Sequence, residues 1–142
     1  MTKKCITKLC YLFLLLFILK VNSQNLDSIF ISKKNIVKSI KTDEKKVQFL
    51  YDCGEFFYSK NVNKSEYFYR EALALTEGTN SLMEGRVLFK LGFVEKNEGN
   101  LSTSLRYFNK AKEIFKDKND IERLASVYFD IGYVYRLKIR WT

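Results

Sequence analysis

From Leu26 onward the apolar residues return every three or four positions rather than every second, the spacing that gathers them on one side of an α-helix. No segment alternates as a half-buried strand would. The pattern predicts an all-α chain with helices at about 26–41, 43–60, 64–77, 81–98, 101–116 and 121–138, each bound good to about 2–4 residues. Ser81-Leu82-Met83-Glu84 reads as a capping box, in which serine and glutamate satisfy orphan backbone donors reciprocally. Asn63-Lys64-Ser65-Glu66 and Asn119-Asp120-Ile121-Glu122 have the same spacing with asparagine as cap, and Asn100 stands where it can cap the helix after Gly99. The chain holds no proline, so glycine, asparagine and serine must do the separating.

An internal comparison adds order to the helices. Gly54, Gly92 and Gly132 each follow an apolar residue midway along a predicted helix, 38 and 40 positions apart. Ser104 to Ile114, "SLRYFNKAKEI", matches Ser65 to Leu75, "SEYFYREALAL": serine, aromatics, a charge, alanine, an aliphatic. A mid-helix glycine costs about 1 kcal/mol against alanine, so three at matched places point to packing. Gly92 and Ser104 are expected to face each other across a helical hairpin, with Phe108 filling the space between the helices. Gly99 is expected to make the left-handed turn.

These residues resemble the tetratricopeptide repeat. One copy carries Leu50, Cys53, Gly54, Phe57, Ser65, Phe68 and Ala72; a second carries Leu88, Leu91, Gly92, Gly99, Ser104, Phe108 and Ala111. A third begins with Tyr128, Ile131, Gly132 and Tyr135. The resemblance implies a solenoid of antiparallel helix-turn-helix units over 43–142, with repeats at about 43–79, 80–119 and a partial 120–142, after a leading helix in 24–42. It also implies a concave groove lined by the first helices: Gln48, Tyr51, Glu55 and Tyr58; Arg86, Phe89, Phe93 and Lys96; Ser126, Phe129, Tyr133 and Arg136. Rings flanked by cations suit a protein or peptide partner with apolar and acidic side chains. The competing expectation is that several of these rings pack against the neighbouring repeat. Tyr51 and Phe89 occupy the slot where some family members place a carboxylate-clamping lysine, so binding of a peptide's C-terminus is not implied.

The N-terminus changes the picture of compartment and charge. Lys3, Lys4 and Lys8 precede the unbroken apolar run Leu9 to Leu19, and Val21-Asn22-Ser23 follows it. That is the layout of a secretory signal peptide over 1–23, with cleavage expected after Ser23 and an exported, periplasmic or extracellular product. Eleven apolar residues fall short of the roughly 20 that a membrane span needs. Loss of Lys3, Lys4, Lys8 and Lys20 lowers the formal charge from +9 to +5. The charges that remain are interleaved rather than blocked, which argues against a nucleic-acid partner. Cys53 is left without an intrachain partner once Cys5 and Cys10 depart, and its place in a core slot suits a buried thiol.

Catalytic chemistry has little to build on. The chain has no histidine, hence none of the commonest general base and metal ligand. No phosphate-cradling glycine loop follows a strand. Asn63-Lys64-Ser65 and Asn100-Leu101-Ser102 match the glycosylation pattern but sit at predicted helix starts. The expectation is a protein-binding scaffold, not an enzyme, without cofactor or metal. The alternative is the sensory front of a longer membrane signalling protein, of the sensor histidine kinase or transcriptional regulator type. Signal peptides followed by slightly long repeats of this kind resemble those exported sensor regions. The third copy stops after its first helix, which reads as truncation or as a terminal helix on the second copy. In that helix Tyr128, Ile131 and Tyr135 are expected to face the preceding repeat. Phe129, Tyr133 and Leu137 would lie uncovered, inviting self-association.

Overall fold

The structure, a computed structural model, describes residues 24–141. The expected signal peptide, 1–23, lies outside the described residues. Six helices and no strand occur among them: α1 over 24–39, α2 Asp43–Tyr58, α3 Val62–Thr76, α4 Leu82–Asn97, α5 Leu101–Asp117 and α6 Ile121–Trp141. Every bound falls within the margin that the periodicity allows. The chain divides into two compact units between Ser39 and Ile40. Within α1, the Lys34 ammonium lies 5.4 Å from the Phe30 ring centre and the Ser39 hydroxyl donates to the Ile36 carbonyl at 2.7 Å.

In the second unit, α2 packs on α3 and α4 on α5, each pair joined by a short turn. The pairs are antiparallel: Gly85 of α4 meets Phe115 of α5, and Gly92, farther along α4, meets Phe108, farther back on α5. Helix α6 packs on α5. Phe57, Phe68, Tyr69, Leu88, Leu91, Phe108 and Phe115 are fully or almost fully buried, and each is worth about 1.5–3 kcal/mol in apolar surface withdrawn from water.

Both pairs are joined in the same way. The Ser65 hydroxyl donates to the Gly54 carbonyl at 2.8 Å, and the Ser104 hydroxyl donates to the Gly92 carbonyl at 2.8 Å. Four residues after each serine a ring lies close against the glycine, Tyr69 on Gly54 and Phe108 on Gly92, where a Cβ on Gly92 would come within 2.5 Å of the ring. The ring in the first pair is therefore Tyr69, not Phe68. A residue four after the serine sits one turn above it on the same face, whereas Phe68 turns aside and stacks on Phe57 at 5.6 Å. Gly99 has φ +83°, the left-handed turn that its place between α4 and α5 requires.

The caps differ from expectation in detail. Asn61, not Asn63, caps α3, its side chain accepting from the Lys64 N–H at 3.0 Å. Asp120, not Asn119, accepts from the Arg123 N–H at 3.1 Å, while Asn119 takes φ 53° in the turn. Asn100 stands at the α5 N-cap but makes no capping bond; its amide donates to Glu95 at 2.9 Å. Ser81 does cap α4, accepting from the Glu84 N–H at 3.1 Å. The Glu84 carboxylate reaches past the cap to the N–H groups of Gly78 at 2.9 Å and Asn80 at 2.8 Å, so it secures the turn between the two pairs rather than the serine itself.

Helix α6 is rotated from its expected setting. Val127, Asp130 and Val134 are buried; Tyr128 and Tyr135 are 55% and 53% exposed, and Ile131 is half-buried. The positions of Tyr128 and Ile131 correspond to Leu50 and Cys53 in α2 and to Leu88 and Leu91 in α4, all buried in helices whose glycine is met by the helix that follows. No described helix follows α6, so that side meets water. Phe129 is exposed as expected, whereas Tyr133 and Leu137 are half-buried.

Candidate functional site

The first helix of each pair and α6 contribute side chains that meet along one line. The Arg86 guanidinium lies 4.4 Å from the Tyr51 ring centre, joining α4 to α2. The Asn97 amide donates to the Tyr58 hydroxyl at 2.8 Å across the same two helices. Farther along, Lys96 of α4 pairs with Asp130 of α6 at 2.9 Å and lies 4.2 Å over Phe93 and 5.2 Å over Tyr133. Arg136 stacks 4.8 Å from the Tyr133 ring. Side chains three and four apart on one helix make this line possible, since they share a face.

Several residues expected in the groove are occupied by packing. Tyr51 is buried and contacts the Tyr69 ring at 5.9 Å. Phe89 and Phe93 are half-buried and touch each other and Phe108, with centres 4.8, 5.6 and 5.5 Å apart. Glu55 accepts from the Tyr69 hydroxyl and pairs with Lys90 at 2.9 Å. Burial pushes the Tyr69 hydroxyl far above the usual phenol range, and its bond to Glu55 adds to that, so Tyr69 stays a donor. Gln48 donates to Asp52 at 2.8 Å, and the Ser126 hydroxyl donates to the Glu122 carbonyl at 3.1 Å, each within its own helix.

At the α4–α6 end the line widens into a depression of about 390 Å³ lined by Lys96, Asn97, Phe129, Asp130, Tyr133, Arg136 and Leu137. Four residues expected in the groove meet here: Lys96, Phe129, Tyr133 and Arg136. Asp130 and Lys96 are both nearly out of water, and each neutralises the other, as a buried charge must be. Among the described residues lining the depression, Arg136 is the second cation, and a guanidinium stacked on a ring presents its edge N–H groups in the geometry that suits a carboxylate. Phe129, 75% exposed, supplies the apolar wall.

Two features were not visible as sites in the residue pattern. A broader hollow of about 570 Å³ opens near the starts of α2 and α4, with Val47, Leu75 and Met83 on its apolar side and Asp43 and Glu44 among its polar lining. Arg70 of α3 bonds Glu66 at 2.6 Å, Glu95 of α4 at 3.1 Å and the Tyr107 hydroxyl of α5 at 3.2 Å. Arg70 clips three helices together, and buried Glu95 is satisfied by it and by Asn100. Among the described residues no group of three or more histidine, cysteine, aspartate or glutamate side chains could hold a metal ion, and no helix is long and apolar enough to cross a membrane. The chain matches no protein-family model, no curated protein and no solved structure.

Proposed function

We propose that the chain is a non-catalytic, exported scaffold of tetratricopeptide type that holds a segment of a protein partner. The observation that carries this reading is the joint built twice, a serine hydroxyl on a mid-helix glycine carbonyl with a ring four residues on laid against that glycine. A joint repeated with the same parts supports a modular array, whose first helices supply a continuous recognition surface. The segment held is an extended stretch with an apolar side chain against Phe129 and Tyr133 and a carboxylate on Arg136. Fluorescence anisotropy with a library of acidic–aromatic peptides tests it. A peptide binding with a Kd of about 1–100 μM is expected, weakened about ten-fold or more by Arg136→Glu and less by Phe129→Ala. Peptides that bind no better than charge-reversed controls, or that ignore both substitutions, overturn the groove reading.

Export has its own check. Protein recovered from outside the producing cytoplasm is expected to begin at Gln24, the residue after the predicted cleavage site. Recovery only of chains beginning at Met1, inside the cell, would sink the export proposal.

A further inference from the structure

Helix α6 carries on its open side both halves of a joint that α4 and α5 divide between them. On α4 the small residues Gly85 and Gly92 are seven apart, and they receive Phe115 and Phe108, also seven apart on α5. On α6 the small residues Ala125 and Gly132 are seven apart, and so are Tyr128 and Tyr135. Ile121 and Ile139 continue the stripe at its ends, giving Ile121, Ala125, Tyr128, Gly132, Tyr135 and Ile139 at alternating steps of four and three. That is the spacing of a helix-to-helix seam, yet all six are exposed. A Cβ added at Gly132 meets no atom within 4 Å, unlike those at Gly54, Gly85 and Gly92.

We propose that this face binds a second copy of the chain, α6 against α6 and antiparallel, about a two-fold axis near residue 130. In that register Tyr128 comes level with Gly132 of the second copy, Tyr135 with Ala125, and Ile121 with Ile139. Two-fold symmetry makes every contact twice. Large meets small at the tyrosine contacts, as in α4 and α5, and isoleucine meets isoleucine at the two ends. A depression of about 330 Å³ lined by Tyr128, Phe129, Gly132, Tyr133 and Arg136 stands ready for the entering ring. Charge selects the direction. Antiparallel pairing sets Glu122 between Arg136 and Arg140 of the second copy, whereas parallel pairing sets the cationic end, Arg136, Lys138 and Arg140, against itself. This pairing does not rest on the peptide-groove reading: its seam runs along the side of α6 opposite buried Asp130 and Val134 and shares with the groove only Arg136 and the rings at its rim, Phe129 and Tyr133.

Sedimentation of the whole chain over a concentration series tests the proposal. A dimer is expected to form by about tens of micromolar, the range of modest association free energies. Gly132→Leu is expected to raise its Kd about ten-fold or more through overpacking without lowering the Tm of the monomer, since nothing in the monomer lies near that Cβ. Glu122→Arg and Arg140→Glu should each associate poorly alone, but their mixture should form a heterodimer in which both ion pairs are restored. A wild type that stays monomeric overturns the proposal. So does a Gly132→Leu variant that pairs as well as wild type, a mixture that fails to recover association, or association that Phe129→Glu abolishes and Gly132→Leu leaves intact.

Discussion

Replacing Phe108 by alanine is expected to remove about 3–5 kcal/mol of folding stability, read as a fall in the urea midpoint with little change in the slope. Phe108 is fully buried, lies against Gly92 and touches the Phe89 and Phe93 rings. Glycine has no side chain to move into the vacated space, and the two neighbouring rings are held by each other and, for Phe89, by Phe115. Relaxation is therefore limited, and the cavity term is large. Set against the roughly 5–15 kcal/mol that holds a typical domain together, this single truncation leaves α4 and α5 marginally attached. Phe129→Ala is the control, an exposed ring whose loss should change stability by about 0.5 kcal/mol or less. A Phe108→Ala variant within about 1 kcal/mol of wild type would show that the ring is not the wedge between the helices.

The glycines give the second large effect, with a sign that depends on position. Gly92→Val places a branched side chain where even a Cβ would stand 2.5 Å from two atoms of the Phe108 ring, and a loss of about 3 kcal/mol or more is expected from overpacking. Gly132→Ala meets nothing within 4 Å and should stabilise the monomer by about 1 kcal/mol through helix propensity. Thermal melts of both variants, at a concentration low enough to exclude association, decide the matter. A Gly92→Val variant as stable as wild type would mean that the close approach at Gly92 does not govern the packing of α4 on α5, and a destabilised Gly132→Ala would mean that the side of α6 at Gly132 is not open.

The helices and the joint were legible because periodicity and small residues are local signals. Gly92, Ser104 and Phe108 are found in the roles that their spacing implies. Asn61 and Asn63 both sit before an apolar run, and only the backbone turn decides which side chain reaches a free N–H. Phe68 and Tyr69 are not told apart by sequence, because adjacent aromatics in "YFY" look alike until the helix face is known. Tyr51 looked available to a ligand because its position is shared with groove residues; its burial comes from Tyr69 and Arg86, residues distant in sequence. The setting of α6 was hardest to foresee. Tyr128 and Tyr135 match core positions of α2 and α4, but those positions become core only when a second helix covers them.

The bonds between helices stay short in sequence. The Asn97-to-Tyr58 bond, among the longest in reach, crosses 39 positions, while the Ser65 and Ser104 bonds cross 11 and 12. Closing loops of that size carries a small entropic penalty, and the penalty grows only slowly with length. Each hairpin can therefore assemble on its own before finding the next, so the search for the native state runs along the chain rather than across it. During synthesis α2 and α3 could be folded before α6 is made, and nothing in their joint would have to wait.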